Sequence, residues 1–517
     1  TPGGDTFYFG CGQIYNPSDE VRINFGQKPF KFPPPDGFQP LNAANVRPST
    51  VIARPDKYVV ATTYTGNGTS QTVSTPNMKP DFVWVKNRDE TLSHFLYDSV
   101  RGANNYLRTD TLNAQDAGSS NQLSFVTKGF TVSGAGGGVN KNNIDFVSWS
   151  WKAGGSKGIF NVDDVGYANA SDVNMNVGGL NSSVYDQSQN WTSLLTSSAG
   201  TINNPGNSFD GSTSTTSQLP STSAGSYIQF GVTLTGVTKL EVYQRSNSDI
   251  SGTGVQTYNN APAAQWVELT LTSSTVSNIR FEKNTNDPGI YAIRVNNKLL
   301  VDSGVSVSNA PSIANIGASV GTRQGFSIIK YAGSGSNGTI AHGLSQAPDF
   351  FFGRDLEDTS TSRDWIIYHK SIGATGRLKF TTAATSTASA FFQDTSPTNS
   401  LITVGTSNDI NSTNDYVLYC WHDVPGLQKF GNYLSQGGNN ANYVYLGFRP
   451  AILWIKSYVH VADTTSWCIF TDEIDKTNPF HNPLYANKNA EEGKRGNNVH
   501  SGTFDIDLLS DGFKIRT

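Results

Sequence analysis

The chain has 517 residues, a formal net charge of −4 and only 15% charged residues, a length that suits about three to five domains. No stripe of clustered Lys and Arg is present, which argues against nucleic-acid binding, and no apolar run is long enough to span a bilayer. Cys11, Cys420 and Cys468 are too scattered for a disulfide framework or a zinc site and read as isolated, buried thiols.

Gly, Ser, Thr and Asn are abundant, while Met occurs only twice. Helix propensity is low throughout. Short alternating runs broken by Gly/Asn/Ser turns dominate, so the expected fold is all-β: tandem antiparallel β-sandwich and jelly-roll modules in an elongated, multi-domain chain.

Residues 1–43 read as the C-terminal part of a sandwich. Phe7-Tyr8-Phe9-Gly10 and Val21 to Gly26 form two strand-like runs, and two strands alone are marginal in water. Pro33-Pro34-Pro35 makes a stiff exit. Residues 44–155 form a first sandwich repeat. Its Tyr58 to Tyr64 run is followed by Asn67-Gly68, a strong hairpin signal because type I′ turns need positive φ. Then comes Pro80-Asp81-Phe82-Val83-Trp84-Val85-Lys86, a buried-strand composition opened by proline and closed by a cation.

That stretch recurs as Pro348 to Arg354 and as Pro450 to Lys456. The segments after it recur in the same order: His94 to Asp98, Trp365 to His369 and Trp467 to Asp472, then Asp145 to Trp151 and Asp415 to Trp421. Divergent copies of a unit of roughly a hundred residues are the simplest reading. The second repeat covers 323–424 and the third 425–517. The third lacks a Trp-rich strand after Asp511-Gly512-Phe513. This is read as truncation by disorder or processing, the alternative being a strand supplied by another chain. Residues 306–322 read as a linker.

Asn24 to Phe30 with Pro35 to Asn42 resembles the end of the SPRY-like (concanavalin-type) domain of tailed-phage virion proteins from marine bacteria and cyanobacteria. Tyr64 to Gly68, Pro80 to Lys86, Leu96 to Ala103 and Val147 to Gly155 resemble the repeat motifs that come after it there, in the same order. The second copy has no Trp in its first strand, and the third has no Arg-Gly-Ala turn. The resemblance implies a virion structural or tail-fibre-like protein more firmly than any chemistry. Within 156–305, Phe209-Asp210-Gly211 followed by Thr213 to Thr216 resembles a turn of galactose-binding-like jelly rolls, which implies such a module, either sugar- or calcium-binding or an inert spacer.

Little in the sequence points to catalysis. The seven His are dispersed, and no HExxH or comparable spacing occurs. His369 stands where the first repeat has Asp98 and reads as a strand-end polar residue. Asp163-Asp164 and the Asp472, Glu473, Asp475 group read as solvated turns, since a Ca²⁺ loop wants more oxygens in ordered spacing. Gly134 to Gly138 reads as a loop, without the Lys-Ser/Thr of a phosphate cradle. Trp84, Trp149, Trp151, Trp421 and Trp454 lie in strand patterns and read as core, with Trp149 and Trp151 on one face. Tyr167, Tyr185 and Trp191 lie outside those patterns and are the candidate glycan-contact aromatics.

The expectation is therefore a non-enzymatic structural component of a tailed-phage particle, a tail fibre or similar appendage that attaches to host-surface glycans. It needs no cofactor, though Ca²⁺ is conceivable without a motif. The resemblance implies other virion proteins as partners and a homo-oligomer, with trimers common in the class. Alternatives are a capsid decoration or head fibre, a glycan-degrading tailspike, which would need two carboxylates across a cleft, and a bacterial surface adhesin.

Overall fold

The computed structural model describes residues 51–118, 120–170, 189–220, 223–237, 239–295, 298–303, 305, 311–359, 363–380, 386–387, 389–435, 442–458, 466–494 and 505–516. The expected partial sandwich over 1–43, with Cys11, lies outside these residues. Almost every described element is a strand, as the composition predicts; one four-residue α-helix, Ser389–Phe392, stands against them.

The first repeat supplies β1 (Val59–Thr65), β2 (Ser70–Ser74), β3 (Phe82–Asn87), β4 (His94–Asp98), β5 (Asn105–Leu107), β6 (Asp116–Ala117), β7 (Gln122–Val126), β8 (Gly129–Ser133) and β9 (Asp145–Trp151). They form two sheets, β1-β9-β3-β4-β5-β6 and β2-β8-β7. The Asn67-Gly68 turn therefore carries the chain from one sheet to the other and does not close a hairpin. The Asn67 side chain holds the turn itself, with Oδ1 accepting from the Thr69 amide at 2.9 Å, and Gly68 takes φ +69°.

β10 (Phe160–Val162) and β11 (Val165–Tyr167) make a tight hairpin. An inserted sandwich comes next, with β12 (Leu195–Ser197), β13 (Ser217–Gln218), β14 (Tyr227–Leu234), β15 (Leu240–Gln244), β16 (Ser248–Thr253), β17 (Tyr258–Ala261), β18 (Trp266–Leu269), β19 (Val276–Lys283), β20 (Gly289–Val295) and β21 (Lys298–Leu299). Its sheets, β12-β14-β19-β16-β17 and β13-β20-β15-β18 with β21 on β20, enclose their own core around Phe209, Phe230, Phe281 and Ile293.

The second repeat adds β22 (Asn315–Gly321), β23 (Phe326–Ala332), β24 (Gly338–Ala341), β25 (Phe350–Asp355), β26 (Ile366–His369), β27 (Gly376–Arg377), β28 (Ser386–Thr387), β29 (Leu401–Val404) and β30 (Asp415–Trp421). Its main sheet runs β11-β10-β22-β23-β30-β25-β26. Residues 315–321, inside the stretch read as a linker, are thus a central strand. β10 pairs with it in parallel, Phe160 opposite Ala318. The inserted sandwich hangs between these two strands. The sequence masks this because Ala-Ser-Val-Gly is too short a run to announce a strand. The third repeat contributes β31 (Asn442–Tyr445), β32 (Ile452–Ile455), β33 (Cys468–Thr471), β34 (Leu484–Tyr485), β35 (Ile506–Leu509) and β36 (Gly512–Ile515), in the sheets β32-β33-β34 and β31-β36-β35.

The repeats do not string out as separate modules. Alternate residues of a strand point to opposite faces, and here both faces pack against apolar neighbours. Val83 and Val85 face the first repeat's small sheet, Phe351 faces the second repeat's own core, and Leu453 and Ile455 face the third's. The intervening residues Trp84, Phe352 and Trp454 all enter a single aromatic core that the three repeats share. Their rings meet pairwise, with centroids 6.3 Å apart for Trp84–Phe352, 5.0 Å for Trp84–Trp454 and 6.4 Å for Phe352–Trp454. This double burial explains why each recurring stretch is continuously apolar, where a half-exposed strand would alternate.

The registers make the repeats equivalent residue by residue. Phe82 pairs with Asp98, Phe350 with His369, and Ile452 with Thr471. His94, Trp365 and Trp467 therefore occupy one position. Each donates a ring N–H to a backbone carbonyl of a neighbouring repeat: His94 Nε2 to Tyr485 at 2.8 Å, Trp365 Nε1 to Arg108 at 2.9 Å, and Trp467 Nε1 to Lys379 at 3.0 Å. The three acceptors are also equivalent, each standing directly after a leucine (Leu107, Leu378, Leu484) that pairs with the middle of β4, β26 or β33. First binds third, second binds first and third binds second, so the three repeats close a ring.

Candidate functional site

The buried ionisable groups serve this ring. Asp98 and Arg101 form an ion pair with both side chains fully buried, and Tyr419 of the second repeat donates to Asp98 Oδ2 at 2.6 Å. Lys86 and Arg354, at equivalent positions, reach carbonyls of the neighbouring repeat, at Asn489 and at Leu112 with Asn113. Burial lowers the Lys86 amine to about 8, against the pull of Asp110 and Glu491. His94 is held neutral. Its Nδ1 accepts from the Trp84 indole at 2.8 Å, so Nε2 carries the proton. Burial, reinforced by Lys86, pushes its pKa well below the usual histidine value.

His369 does the work of the carboxylate it replaces. Asp98 Oδ1 accepts from the Val100 amide at 3.0 Å, and His369 Nδ1 accepts from the Ser371 amide at 3.1 Å, in both cases two residues on. The suspected carboxylate groups are engaged internally. Asp163 and Asp164 take φ +49° and +69° at the tip of the β10–β11 hairpin, the two positive-φ positions of a type I′ turn. Asp163 accepts from Thr322, and Asp164 from Lys152 at 2.7 Å. Asp472 pairs with Arg449 and Glu473 with Lys476, while Asp475 accepts from His481 and Asn482. Among the described residues no group of three His, Cys, Asp or Glu is placed to hold a metal. Cys420 and Cys468 are free and buried; burial raises both thiols, Cys468 to about 12.

An open cleft of about 440 Å³ lies where the first repeat meets the β10–β11 hairpin, lined among others by Lys57, Tyr58, Asn77, Lys152 and Arg323. Its volume falls in the range of small-molecule sites.

The predicted glycan-contact aromatics are not brought together. Trp191 is 2% exposed and packs edge-on against Phe230 in the inserted sandwich. Its expected exposure is therefore corrected: a 3-10 turn, capped by Asn190 and held to Asp302, drives the ring into the core. Tyr167 is half-buried on β11, against the second repeat's core. Tyr185 lies outside the described residues.

A different pair is available. Tyr443 and Tyr445 are 49% and 65% exposed on one face of β31, while Val444 between them faces the core. Lys514 pairs opposite Tyr443 and side-chain-free Gly512 opposite Tyr445. A Cβ at Gly512 would lie 2.1 Å from the Val444 carbonyl, so that floor stays open. The two exposed rings, with Lys514 and Asp511 beside Tyr443, form an amphipathic surface of the kind that stacks on sugar rings. The alternation Asn-Tyr-Val-Tyr carries this signal, but it is short and is overshadowed by the tryptophans of the recurring apolar stretches.

A family model described as a domain of unknown function (DUF7483) matches residues 54–185 and 251–517, well over half of the sequence. The chain belongs to the DUF7483 family. The match takes in all three repeats, and its gap at 186–250 falls in the first part of the inserted sandwich, so the repeat ring is the larger part of what DUF7483 describes here. No solved structure matches the chain.

Proposed function

We propose that this DUF7483 chain is a non-enzymatic structural component of a tailed-bacteriophage particle, a tail fibre or similar appendage that contacts host-surface glycans. The observation that carries the reading is the closed ring. Three repeats share one aromatic core, and the charges buried between them are spent on carbonyls and ion pairs of neighbouring repeats. Such a body resists shear as one unit, which suits an exposed, load-bearing part. The repeat motifs, in their order, support a place in a phage particle. Tyr443 and Tyr445 give the surface a glycan platform, and many copies on one particle would make weak single-site contacts effective.

The test is localisation by gold-labelled antibody in cryo-electron micrographs of intact particles that carry the chain. Label at the tail is expected. Label on the capsid lattice, or none, sinks the proposal. The glycan part is tested separately on a glycan array, where Tyr445→Ala is expected to weaken binding at least tenfold while leaving the fold unchanged.

A further inference from the structure

Three parts of the chain build the cleft beside the β10–β11 hairpin, and its charges are unevenly spent. Lys57 and Tyr58 come from the turn before β1, Lys152 from the residue after β9, Asp163 and Asp164 from the hairpin tip, and Arg323 and Gln324 from the turn between β22 and β23. Backbone hydrogen bonds tie these walls together: the Lys152 amide donates to the Tyr58 carbonyl at 2.8 Å, Asp164 to Gly154 at 2.8 Å and Asp163 to Val320 at 3.0 Å. Both carboxylates are occupied. Asp163 accepts from the Thr322 amide and hydroxyl, and Asp164 accepts from Lys152 through both oxygens. Lys57 and Arg323 are exposed, and among the described residues neither side chain has a hydrogen bond or an ion pair. Gln324 is only 4% exposed. Its Nε2 donates to the carbonyls of Lys152 at 3.1 Å and Ala153 at 2.7 Å, which fixes the amide, while its Oε1 accepts from no described group.

We propose that this cleft binds a sugar that carries a carboxylate, a uronic acid unit. Arg323 and Lys57 are the cations of the lining with no partner inside the protein, and a guanidinium takes a carboxylate in paired, charge-assisted hydrogen bonds. Gln324 Oε1, an acceptor on a buried side chain, takes a ring hydroxyl; an acceptor removed from bulk water regains what its desolvation costs only when a donor reaches it. Tyr58, the one aromatic side chain of the lining, supplies a face for the sugar ring. The preference for an anion stands on the unspent cations alone, whereas the choice of a sugar rests on the glycan-contact reading above. None of these residues belongs to the Tyr443 and Tyr445 surface, so the two sites are tested apart.

The experiment uses the full 517-residue chain and isothermal titration with D-glucuronic acid, D-glucose and acetate at neutral pH and low salt. Saturable binding of glucuronate is expected, with glucose and acetate each weaker by about tenfold or more. Arg323→Gln should weaken glucuronate binding by about tenfold, the worth of one charge-assisted contact. Its melting temperature should not move, because the Arg323 side chain bonds to no described group. Tyr445→Ala should leave the glucuronate affinity unchanged. Absence of saturable glucuronate binding, equal affinity for glucose, or an Arg323→Gln variant that binds as tightly as the parent chain overturns the proposal. Equal affinity for acetate overturns the sugar assignment and shows a plain anion site. Loss of glucuronate binding in Tyr445→Ala also overturns it, because the sugar would then sit on the exposed tyrosines.

Discussion

Replacing Trp84 by alanine tests whether the three repeats form one cooperative body. Trp84 is fully buried and touches Phe352 and Trp454 from the other two repeats. Truncating a buried Trp costs about 3–5 kcal/mol. The lost indole N–H also orphans His94 Nδ1, adding about 1–3 kcal/mol. A loss of about 5 kcal/mol is a large share of a typical folding stability of about 5–15 kcal/mol. Native-state hydrogen exchange is the assay. Protection should fall in β25, β30 and β33 as well as in β3 and β9, while the inserted sandwich, with its separate core, keeps its protection. Loss confined to residues 59–151 would refute the reasoning.

Acid should weaken the second repeat. His342 is fully buried, and burial lowers its pKa to about 4; its Nε2 donates to the Thr398 carbonyl and its Nδ1 accepts from the Leu344 amide. Below about pH 6.5 the unfolded chain binds a proton that the folded chain refuses, so this contribution is complete above that pH and is lost as pH falls toward 4. By pH 5 the loss is about 2 kcal/mol from His342, with His94 acting in the same direction; denaturant midpoints at pH 7 and pH 5 check it. Asp98→Asn leaves the Arg101 charge buried and unmatched, which should cost about 3–5 kcal/mol by chemical denaturation. Trp191→Ala should unfold the inserted sandwich at lower denaturant concentration, with glycan-array binding at Tyr443 and Tyr445 intact. Addition of a chelator should leave the melting temperature unchanged, because Asp163, Asp164 and Asp475 are satisfied by protein donors.

Much of the fold was legible because the repeated stretches impose a fixed alternation. The all-β class, the three copies and the core role of Trp84, Trp149, Trp151, Trp421 and Trp454 come from period-two patterning and from Pro, Gly and Asn punctuation. Ring closure was not legible. Val83 and Trp84 look equally apolar whether the second face meets the same repeat or a neighbour more than two hundred residues away. The β22 strand was hidden for a related reason: Asn315 to Gly321 carries only Ile316, Ala318 and Val320 between glycines and polar residues, and it becomes a strand only because β10 and β23 flank it. Site residues were the least legible. Trp191 comes after a polar stretch that suggests exposure, and its burial depends on Asp302, more than a hundred residues on.

Photocrosslinking from position 454 tests the shared core most directly. With p-benzoylphenylalanine in place of Trp454, irradiation of the folded chain and mass mapping of the cross-linked peptides should find attachments in Phe82–Asn87 and in Phe350–Asp355, the strands that carry Trp84 and Phe352. Attachments restricted to third-repeat peptides such as Cys468–Thr471 would contradict a core common to all three repeats.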